Sequence, residues 1–368
     1  MGKPLIVLAA GGTGGHVMPA AALAADLAAR GHAVHLITDR RGAAFSSAFG
    51  EKVTISRIAS KSPAGGLFAK IRAAAALALG TVQAWLSLRR LRPAVVVGFG
   101  GYPSLPPLWA AEALAIPIVL HEQNAVMGRA NAHLAQHAAR IALSWPVPPG
   151  LSEDEAVRCV VTGNPVRGPI AALSVSPYGA PEVDGPLRLL VLGGSLGAGV
   201  FARVVPAAVA ALPDAARGRL RVVQQCRAED TNATRAAYEA CGVQARLDPF
   251  IEDVAGEMGR AHLLVARAGA SMVAEVAAAG RPAIFVPYPH HADAQQARNA
   301  QALEDAGGAW VMDEEGFTPE ALAARLEAFL QDPEILFQAA GRAQALGRPD
   351  AARRLGDVVT AVAKGWRE

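Results

Sequence analysis

The feature that most restricts the fold is a glycine-rich turn that occurs twice, once near the start of each half of the chain. The apolar run at residues 5–10 leads into the sequence GGTGGH at residues 11–16. The apolar run at residues 187–192 leads into GGSLGA at residues 193–198. A stretch suited to a helix follows each turn. This repeated arrangement predicts two Rossmann-like domains that face each other across a cleft.

The rest of the chain alternates short apolar runs with Ala- and Leu-rich stretches. Strands are predicted at residues 5–10, 33–38, 53–58, 94–98, 118–121, 140–144, 187–193, 220–225, 245–249, 262–266, 283–287 and 309–312. Helices are predicted at residues 19–30, 67–90, 127–136, 199–211, 271–279 and 293–306. Runs that are apolar throughout are typical of parallel strands covered on both faces. The pattern therefore predicts an α/β protein with two doubly wound parallel sheets. Eight prolines between residues 145 and 186 indicate a linker, with the change of domain near residues 164–167.

Composition excludes several classes of protein. The chain has 368 residues, and its 35 Lys+Arg against 32 Asp+Glu leave a net charge of +3, which does not indicate a nucleic-acid binder. Three scattered cysteines predict neither a disulfide scaffold nor a cysteine zinc site. The longest apolar stretch, at residues 73–88, is shorter than the ~20 residues of a spanning helix. A soluble, cytoplasmic protein is expected.

The glycine turns suit anion binding. Helix N-termini carry unpaired backbone N–H groups, and glycines let a phosphate approach them. Ser195 adds a hydroxyl donor, so Ser195 and the amides of residues 194–198 are candidates to hold a pyrophosphate. The alternative is a tight turn with no ligand. Neither turn continues into Gly-Lys-Ser/Thr, so a phosphate-binding P-loop is excluded.

Two polar residues follow the first two strands. His16, interpreted as a loop residue at the carboxyl edge of the sheet, suits a general base near neutral pH; the alternative is a histidine that bonds the backbone. Asp39 stands where a dehydrogenase would hold a ribose. Because the first turn lacks the third small residue of the dinucleotide fingerprint, we expect Asp39 to be a solvated strand-end residue.

Amides, carboxylates and arginines also end other strands, at residues 98–104, 121–124, 162–167, 267–271 and 287–296. Such residues suit a sugar and a ribose at the edge where open sheets bind ligands. No Asp-x-Asp motif occurs, and the loop residues His290, His291 and Asp293 are not expected to hold a metal. Without a metal, Arg167 and Arg267 are the candidates to stabilise a diphosphate leaving group.

Residues 67–92 combine apolar side chains with Lys70, Arg72, Arg89, Arg90 and Arg92. This combination suits an anionic membrane surface. It also suits a core-facing helix whose arginines stabilise the dipole at its C-terminal end. On these residues alone, the core-facing helix is favoured.

Seven motifs together resemble the MurG family, the UDP-N-acetylglucosamine transferases that complete lipid II in bacterial peptidoglycan synthesis. They are GGTGGHVMPA, GFGGYPS, HEQN, TGNPVR, GGSLGA, ARAGAS with the following E-x-AAAG, and DAQQ-x-x-NA, and they run in order from residue 5 to about residue 308. The resemblance implies a GT-B fold. It implies an acceptor- and membrane-facing domain at 1–165 that is joined by a C-terminal helix at 346–368, and a UDP-N-acetylglucosamine-binding domain at 166–345.

The resemblance also implies an inverting transfer that uses no metal ion and no cofactor. The acceptor would be the C4 hydroxyl of undecaprenyl-diphospho-N-acetylmuramoyl-pentapeptide (lipid I), and the products a β-1,4 link and UDP. An epimerase of UDP-N-acetylglucosamine with the same fold is the main alternative. A nicotinamide oxidoreductase and a sugar-nucleotide-binding protein without catalysis are two others. The implied partners are the two substrates, the cytoplasmic face of the inner membrane through residues 67–92, and other proteins of cell-wall synthesis and division.

By position, the resemblance assigns the site residues. It places uracil near Ile251, the ribose on Glu275, and the diphosphate on Ser195 and the helix that follows. The N-acetylglucosamine would lie near Ala270, Gln295, Gln296, Asn124 and Arg167, and the donor set also includes Thr13, Gly14, Gly15 and Arg267. Thr13, His16 and Tyr102 would face the acceptor, with His16 as the base and Glu122 orienting it. Leu196 and Ala202 depart from the family's Gln and Asn, so no side-chain role carries over there, although the backbone anion site is expected to persist.

Overall fold

The computed structural model describes residues 3–63, 65–146, 148, 150–194, 199–289 and 294–365. The chain folds as two compact units. One comprises Met1–Arg167 and Asp350–Glu368, and the other comprises Gly168–Pro349. Each unit contains one parallel sheet with helices on both faces.

The first sheet has seven strands in the order β3-β2-β1-β4-β5-β6-β7. Its strands are β1 Ile6–Ala9, β2 Val34–Thr38, β3 Val53–Arg57, β4 Val95–Gly98, β5 Ile118–Glu122, β6 Arg140–Leu143 and β7 Cys159–Val161. The second sheet has six strands in the order β10-β9-β8-β11-β12-β13. Its strands are β8 Leu187–Leu192, β9 Leu220–Gln225, β10 Ala245–Asp248, β11 Leu263–Ala266, β12 Ala283–Phe285 and β13 Ala309–Val311.

The helices of the first unit are α1 Gly14–Ala29, α2 Leu67–Leu91, α3 Leu105–Ala113, α4 Arg129–Leu134, α5 Glu153–Val157 and the C-terminal α15 Ala351–Ala363. Those of the second unit are α6 Gly168–Ala171, α7 Gly199–Ala211, α8 Asp214–Gly218, α9 Thr231–Ala240, α10 Val254–Arg260, α11 Ala270–Ala279, α12 Gln295–Asp305, α13 Pro319–Gln331 and α14 Glu334–Leu346. Short 3₁₀ helices occupy Gly42–Phe49, Tyr102–Ser104, Ala135–His137 and Ala172–Val175.

The central strands of the first sheet are buried on both faces, which explains why β1 and β4 are apolar throughout. On one face, α1 and α15 pack with Leu8, Leu36 and Leu355 into one core cluster. On the other face, α2 and α3 bring Leu88 and Leu108 against the strands. The C-terminal helix is held further by Arg30, which pairs with Asp357 at 2.6 Å and with Asp26 at 2.7 Å.

The second sheet is covered in the same way. On one face α7, α9 and α13 supply a core that includes Phe201, Tyr238 and Leu326. The helices α10, α11, α12 and α14 complete this unit. Its fold places the carboxyl ends of β8, β11 and β12 side by side at one edge of the sheet.

Several element predictions need correction. Helix α1 begins at Gly14, inside the glycine turn, so His16 lies in the first helical turn and not on a loop. Helix α3 was not predicted because Pro106 and Pro107 are typical helix breakers; here they lie in its first turn, where few backbone N–H groups need an acceptor. The edge strand β7 was also missed, since its three residues are too few for a periodic pattern.

Helix α2 is 25 residues long, which exceeds the apolar stretch counted in the sequence. By length and composition alone it would suffice to cross a membrane. Only Ala73, Gly80, Ala84 and Leu88 are buried along it. A Cβ at Gly80 would overlap the carbonyl oxygen of Ala59, so this face packs closely on the protein.

The outer face of α2 contradicts the favoured core-facing interpretation. Six large apolar side chains are 54% to 84% exposed: Leu67, Phe68, Ile71, Leu79, Val82 and Leu86. At about 100° per residue, all six lie within an arc of about 120° that is opposite the buried face. We call these six side chains the α2 stripe. Arg72, Arg89 and Arg90 lie within or beside the same arc.

Candidate active site

The first glycine turn is held by a buried carboxylate. Asp39 is only 3% exposed, and its Oδ1 accepts hydrogen bonds from the backbone N–H groups of Gly12 (3.0 Å) and Gly42 (2.9 Å). Its Oδ2 pairs with Arg41 Nε at 3.3 Å. A Cβ at Gly11 would lie 2.7 Å from both Asp39 Oδ1 and Pro103 Cβ. The expectation that Asp39 is solvated is therefore wrong: its side chain fixes the shape of the turn.

His16 follows this turn and is half-buried. Its Nδ1 lies 3.1 Å from Gln123 Oε1, and the amide nitrogen of Gln123 lies 2.9 Å from Nδ1 of His121. His121 is fully buried, and its Nε2 donates to the carbonyl of Gly163 at 3.2 Å. Burial lowers the pKa of His121 to about 4, so this imidazole is neutral at neutral pH.

The other edge of the His16 ring faces Gly101, in the GFGGYPS motif. A Cβ at Gly101 would lie 3.2 Å from His16 Cδ2 and 3.3 Å from Nε2. Gly101 has a φ of 73°, which side chains rarely adopt. Tyr102 begins the 3₁₀ helix directly after it, and Thr13 is exposed at the start of α1. The structure therefore brings Thr13, His16 and the Gly101–Tyr102 turn to one edge of the first sheet.

Glu122 does not orient His16, which corrects the expectation. Its Oε1 accepts from the backbone and side-chain nitrogens of Asn124, both at 3.0 Å. Its Oε2 accepts from Gly128 N at 2.9 Å and from Asn131 Nδ2 at 2.8 Å. The carboxylate is 2% exposed and is engaged by these hydrogen bonds. It holds the loop that carries Asn124, and the partner of His16 is Gln123.

The TGNPVR segment closes the first unit beside this network. Thr162, Gly163 and Asn164 are buried, and Arg167 is half-buried at the end of the unit. Asn164 is 3% exposed, and within the described part of the chain neither of its amide atoms has a hydrogen-bond partner. A buried amide without a hydrogen-bond partner is costly, and a polar ligand that pairs with it would relieve that cost.

In the second unit, Arg267 is engaged by other protein groups. Its Nη2 lies 2.5 Å from Glu314 Oε2, and its Nη1 donates to the carbonyls of Val286 (3.2 Å) and Pro287 (3.1 Å). The guanidinium also lies over the rings of Phe201 and Tyr288, 5.5 and 5.4 Å from their centroids. Arg267 therefore ties together the ends of β11 and β12 and the start of α7.

Other residues predicted for the donor lie on loops and helices that follow strands of this sheet. Ile251 follows β10 and is 4% exposed, beside the exposed Phe250. Ala270 begins α11, and Glu275 is 4% exposed in the next turn of that helix. Gln295 and Gln296 begin α12, and Gln296 Oε1 accepts from the backbone N–H of Tyr288 at 2.9 Å.

Some predictions fall outside the described residues. These are Ser195 and Leu196 in the second glycine turn, and His290, His291 and Asp293 in the loop before α12. Ala202, the second departure from the family pattern, is half-buried on α7 against the core. Among the described residues, no group of three or more His, Cys, Asp or Glu side chains is placed to hold a metal ion.

Sequence reasoning missed Gln123, Asn164 and Glu314. Gln123 and Asn164 lie inside the HEQN and TGNPVR motifs, which were singled out, so their position was a usable signal. The pairing of Glu314 with Arg267 joins residues 47 positions apart, and no local pattern indicates it.

Comparison with known proteins identifies the family. The family model of the glycosyltransferase family 28 N-terminal domain matches residues 6–143, and the model of the family's C-terminal domain matches residues 188–355. The UDP-N-acetylglucosamine–N-acetylmuramyl-(pentapeptide) pyrophosphoryl-undecaprenol N-acetylglucosamine transferase of Rhodospirillum centenum is 55% identical over 358 residues, covering 97% of this chain and 94% of that protein. The enzyme of the same name from Paramagnetospirillum magneticum is 51% identical, covering 97% and 96%.

Comparison with solved structures supports the same family. The crystal structure of Acinetobacter baumannii MurG matches with a TM-score of 0.77 and 31% identity, covering 97% of this chain and 99% of that chain. A UDP-N-acetylglucosamine 2-epimerase matches with a TM-score of 0.67 but only 14% identity, covering 100% and 98%, so it shares the fold alone. The predicted GT-B class of two Rossmann-like parallel-sheet domains is confirmed. Identity of this extent along nearly the whole chain shows that the protein belongs to glycosyltransferase family 28 and, within it, to the MurG family.

Proposed function

We infer that this protein transfers N-acetylglucosamine from UDP-N-acetylglucosamine to the C4 hydroxyl of lipid I, giving lipid II for peptidoglycan synthesis. Full-length relatives named for this transfer support the reaction. The observation that carries its assignment to this site is the placement of His16, whose ring lies between Gln123 and the Gly101 turn at the ligand-binding edge of a parallel sheet.

We propose that His16 is the general base. Its Nε2 takes the proton of the C4 hydroxyl while the hydroxyl oxygen attacks the anomeric carbon of the donor. The new C–O bond forms on the face opposite UDP, the bond to the β-phosphate oxygen breaks, and its electron pair leaves with UDP. This displacement inverts the anomeric configuration. Thr13 and Tyr102, beside His16, are proposed to contact the acceptor.

The donor is proposed to bind the carboxyl edge of the second sheet. Ile251 would contact uracil, Glu275 the ribose, and Ser195 with the start of α7 the diphosphate. In the second unit, Ala270, Gln295 and Gln296 would contact the sugar. Asn124, Arg167, Gly14 and Gly15, in the first unit, are the other residues predicted for the donor. In support, α11 and α12 both begin at this edge, and helix N-termini favour anionic ligands.

Two assignments change in this proposal. Because Arg267 pairs with Glu314, we assign it to holding the loops around the diphosphate and not to neutralising the diphosphate directly. Because Glu122 binds Asn124 and Asn131, we assign it to positioning the Asn124 loop. The donor charge would then be stabilised by backbone N–H groups and a helix dipole.

We propose that residues 1–165 with the C-terminal segment at 346–368, which largely coincide with the first unit, bind the acceptor and the cytoplasmic face of the membrane, and that residues 166–345 bind the donor. The α2 stripe supports the membrane contact, since six exposed apolar side chains beside three arginines fit an anionic leaflet. The opposite face of α2 packs on the protein, so peripheral attachment fits better than a span. Other cell-wall synthesis and division proteins remain predicted partners.

The test is release of UDP from UDP-N-acetylglucosamine and a lipid I analogue. We expect release that depends on the acceptor, that continues in EDTA, and that His16→Ala lowers at least a hundredfold. An enzyme that needs added Mg²⁺, or that releases no UDP with the acceptor, would contradict the proposal.

The epimerase alternative is distinguished by its substrate requirement. An epimerase converts UDP-N-acetylglucosamine without any acceptor. We expect the donor alone to be recovered unchanged, and NMR of the sugar after incubation checks this.

A further inference from the structure

Four groups form a hydrogen-bonded series that ends at the proposed base: the carbonyl of Gly163, the imidazole of His121, the amide of Gln123 and the imidazole of His16 itself. All four belong to the first unit. Gln123 is 2% exposed and His121 is fully buried, so solvent does not compete for the middle of the chain.

Each group in this hydrogen-bonded series determines which atom of the next group carries the hydrogen. A carbonyl can only accept, so His121 Nε2 carries the hydrogen that faces Gly163. A neutral imidazole has one hydrogen, so His121 Nδ1 is an acceptor. The Gln123 atom at 2.9 Å from it must then be the NH₂ group, which also donates to the His121 carbonyl at 3.1 Å. This orientation leaves the Gln123 oxygen facing His16 Nδ1 at 3.1 Å.

We propose that Gln123 is a positioning residue that fixes His16 in the Nδ1–H tautomer and leaves its Nε2 lone pair free to accept the proton of the acceptor hydroxyl. The inference rests on the proposed role of His16 as the base. A hydrogen on Nε2 would remove the lone pair on the ring edge beside Gly101. The lowered pKa of His121 supports the chain, because a protonated His121 would donate from Nδ1 and turn the amide around.

Two variants at Gln123 test its hydrogen bond to His16 and its hydrogen bond to His121 separately. Gln123→Met removes the acceptor for His16 and the donor for His121. Gln123→Glu keeps an acceptor facing His16 but replaces the donor with a second acceptor. We therefore expect Gln123→Met to let His16 adopt both neutral tautomers. Gln123→Glu should keep the Nδ1–H form of His16 and add a hydrogen to Nδ1 of His121, whose Nε2 hydrogen still faces the Gly163 carbonyl. Gln136→Met, at an exposed position of the same unit, is the matched control.

The experiment is two-bond ¹H–¹⁵N NMR of the full chain labelled at histidine, with signals assigned through His16→Asn and His121→Asn. In the wild type we expect a protonated Nδ1 and a bare Nε2 on His16, with the opposite pattern on His121. In Gln123→Met we expect the His16 pattern to be lost, and kcat to fall at least tenfold with the KM for UDP-N-acetylglucosamine within twofold. Gln123→Glu should recover most of that kcat.

A wild-type His16 with hydrogen on Nε2, or an unchanged His16 pattern in Gln123→Met, would overturn the proposal. A fall in kcat for Gln136→Met equal to that for Gln123→Met would do the same. The NMR measurement needs no turnover. If the wild type released no UDP, the proposed function would fail while the tautomer assignment was still decided by the spectra.

Discussion

At the scale of single residues, Asp39 shows how a buried carboxylate shapes a glycine turn. It accepts from the N–H groups of Gly12 and Gly42, and each hydrogen bond to a charged group contributes about 1.5–3 kcal/mol. Asp39→Ala should therefore lower the free energy of unfolding of the first unit by about 3–6 kcal/mol, since the buried N–H of Gly42 and the part-buried N–H of Gly12 lose their acceptor. Calorimetry measures the shift. Asp184→Ala, at an exposed position, is the control, and an equal loss in both variants would contradict the role of Asp39.

Gly101 allows a separate prediction about the base. Gly101→Ala places a Cβ near 3.2 Å from the His16 ring and forces a side chain into a backbone with φ of 73°. We expect kcat for UDP release to fall at least tenfold because the Nε2 edge of His16 is crowded.

The chain offers a matched control for Gly101. Gly50 has a similar φ of 69°, but a Cβ there would have no atom within 4 Å. Gly50→Ala should lower the free energy of unfolding by about 1 kcal/mol, as the same backbone strain does at Gly101, and should leave kcat unchanged. If both variants lost activity equally, backbone strain and not the His16 contact would be the cause.

The residue scale also shows what the sequence could predict at the site. His16, Asn124 and Tyr102 were predicted for the site because they follow strand ends, where chain order alone places them at one edge. The partner of His16 was assigned to Glu122 and is Gln123, one position away. Successive strand-end residues point in different directions, and His16 lies 107 positions earlier in the chain, so packing decides which side chain meets it.

At the scale of elements, we expect the exposed apolar side chains of α2 to bind an anionic membrane surface. Replacing Leu79 and Leu86 together by Gln removes two side chains of the α2 stripe, which are 54% and 57% exposed. Burial of a Leu side chain in an apolar phase contributes about 1.5–3 kcal/mol, so we expect partitioning to anionic vesicles to fall at least tenfold. Co-sedimentation with phosphatidylglycerol vesicles measures it.

The control for the stripe removes exposed apolar side chains from the other unit. Val175 and Val183 are 86% and 66% exposed, and replacing both by Gln should leave vesicle binding unchanged. Binding that survives the stripe variant, or that both variants weaken equally, would argue against docking through α2.

The strands were predictable from the sequence because of one physical property, the burial of their apolar side chains. Central strands buried on both faces, such as β1 and β4, are apolar throughout, and twelve of the described strands overlap the short, mainly apolar runs predicted as strands. The helix α3 and the strand β7 lacked a sufficient pattern, the first because of prolines in its opening turn and the second because of its length. The exposure of the α2 stripe was not predictable, since the apolar periodicity of a core-facing helix is the same.

At the scale of the whole molecule, each unit contains a buried histidine whose pKa is strongly lowered: His121 in the first and His262 in the second. Burial lowers the pKa of His121 and of His262 to about 4, and Arg188 and Arg281 further disfavour a charged His262. The unfolded chain binds these protons near pH 6.5, above the folded pKa values, so acid favours unfolding. We expect the Tm of both units to fall as the pH drops from 7 to 4.5.

A variant isolates the contribution of one histidine to this acid sensitivity. His262→Asn keeps an acceptor for the backbone N–H of Arg188, which lies 3.2 Å from Nδ1, but removes the titrating ring. The Tm of the second unit should then depend less on pH between 6.5 and 4.5 in calorimetry. His133→Asn, at an exposed position on α4, should leave that dependence as it is. If His262→Asn did not reduce the dependence of the Tm on pH, other titratable groups would be the cause of the lower stability in acid.

The return of the chain to its first unit gives the last prediction. Leu355 of α15 is fully buried in the same core cluster as Leu8 and Leu36, although more than 300 residues separate them. Leu355→Ala should cost about 2–5 kcal/mol and lower the Tm of the first unit by roughly 5–15 °C. Leu326→Ala, equally buried in the second unit, should lower the other calorimetric transition by a similar amount. Because each core is closed within its own unit, the two variants should move different transitions. If Leu355→Ala moved the transition that Leu326→Ala moves, the C-terminal helix would contribute its stability to the second unit, and the division of the chain proposed here would be wrong.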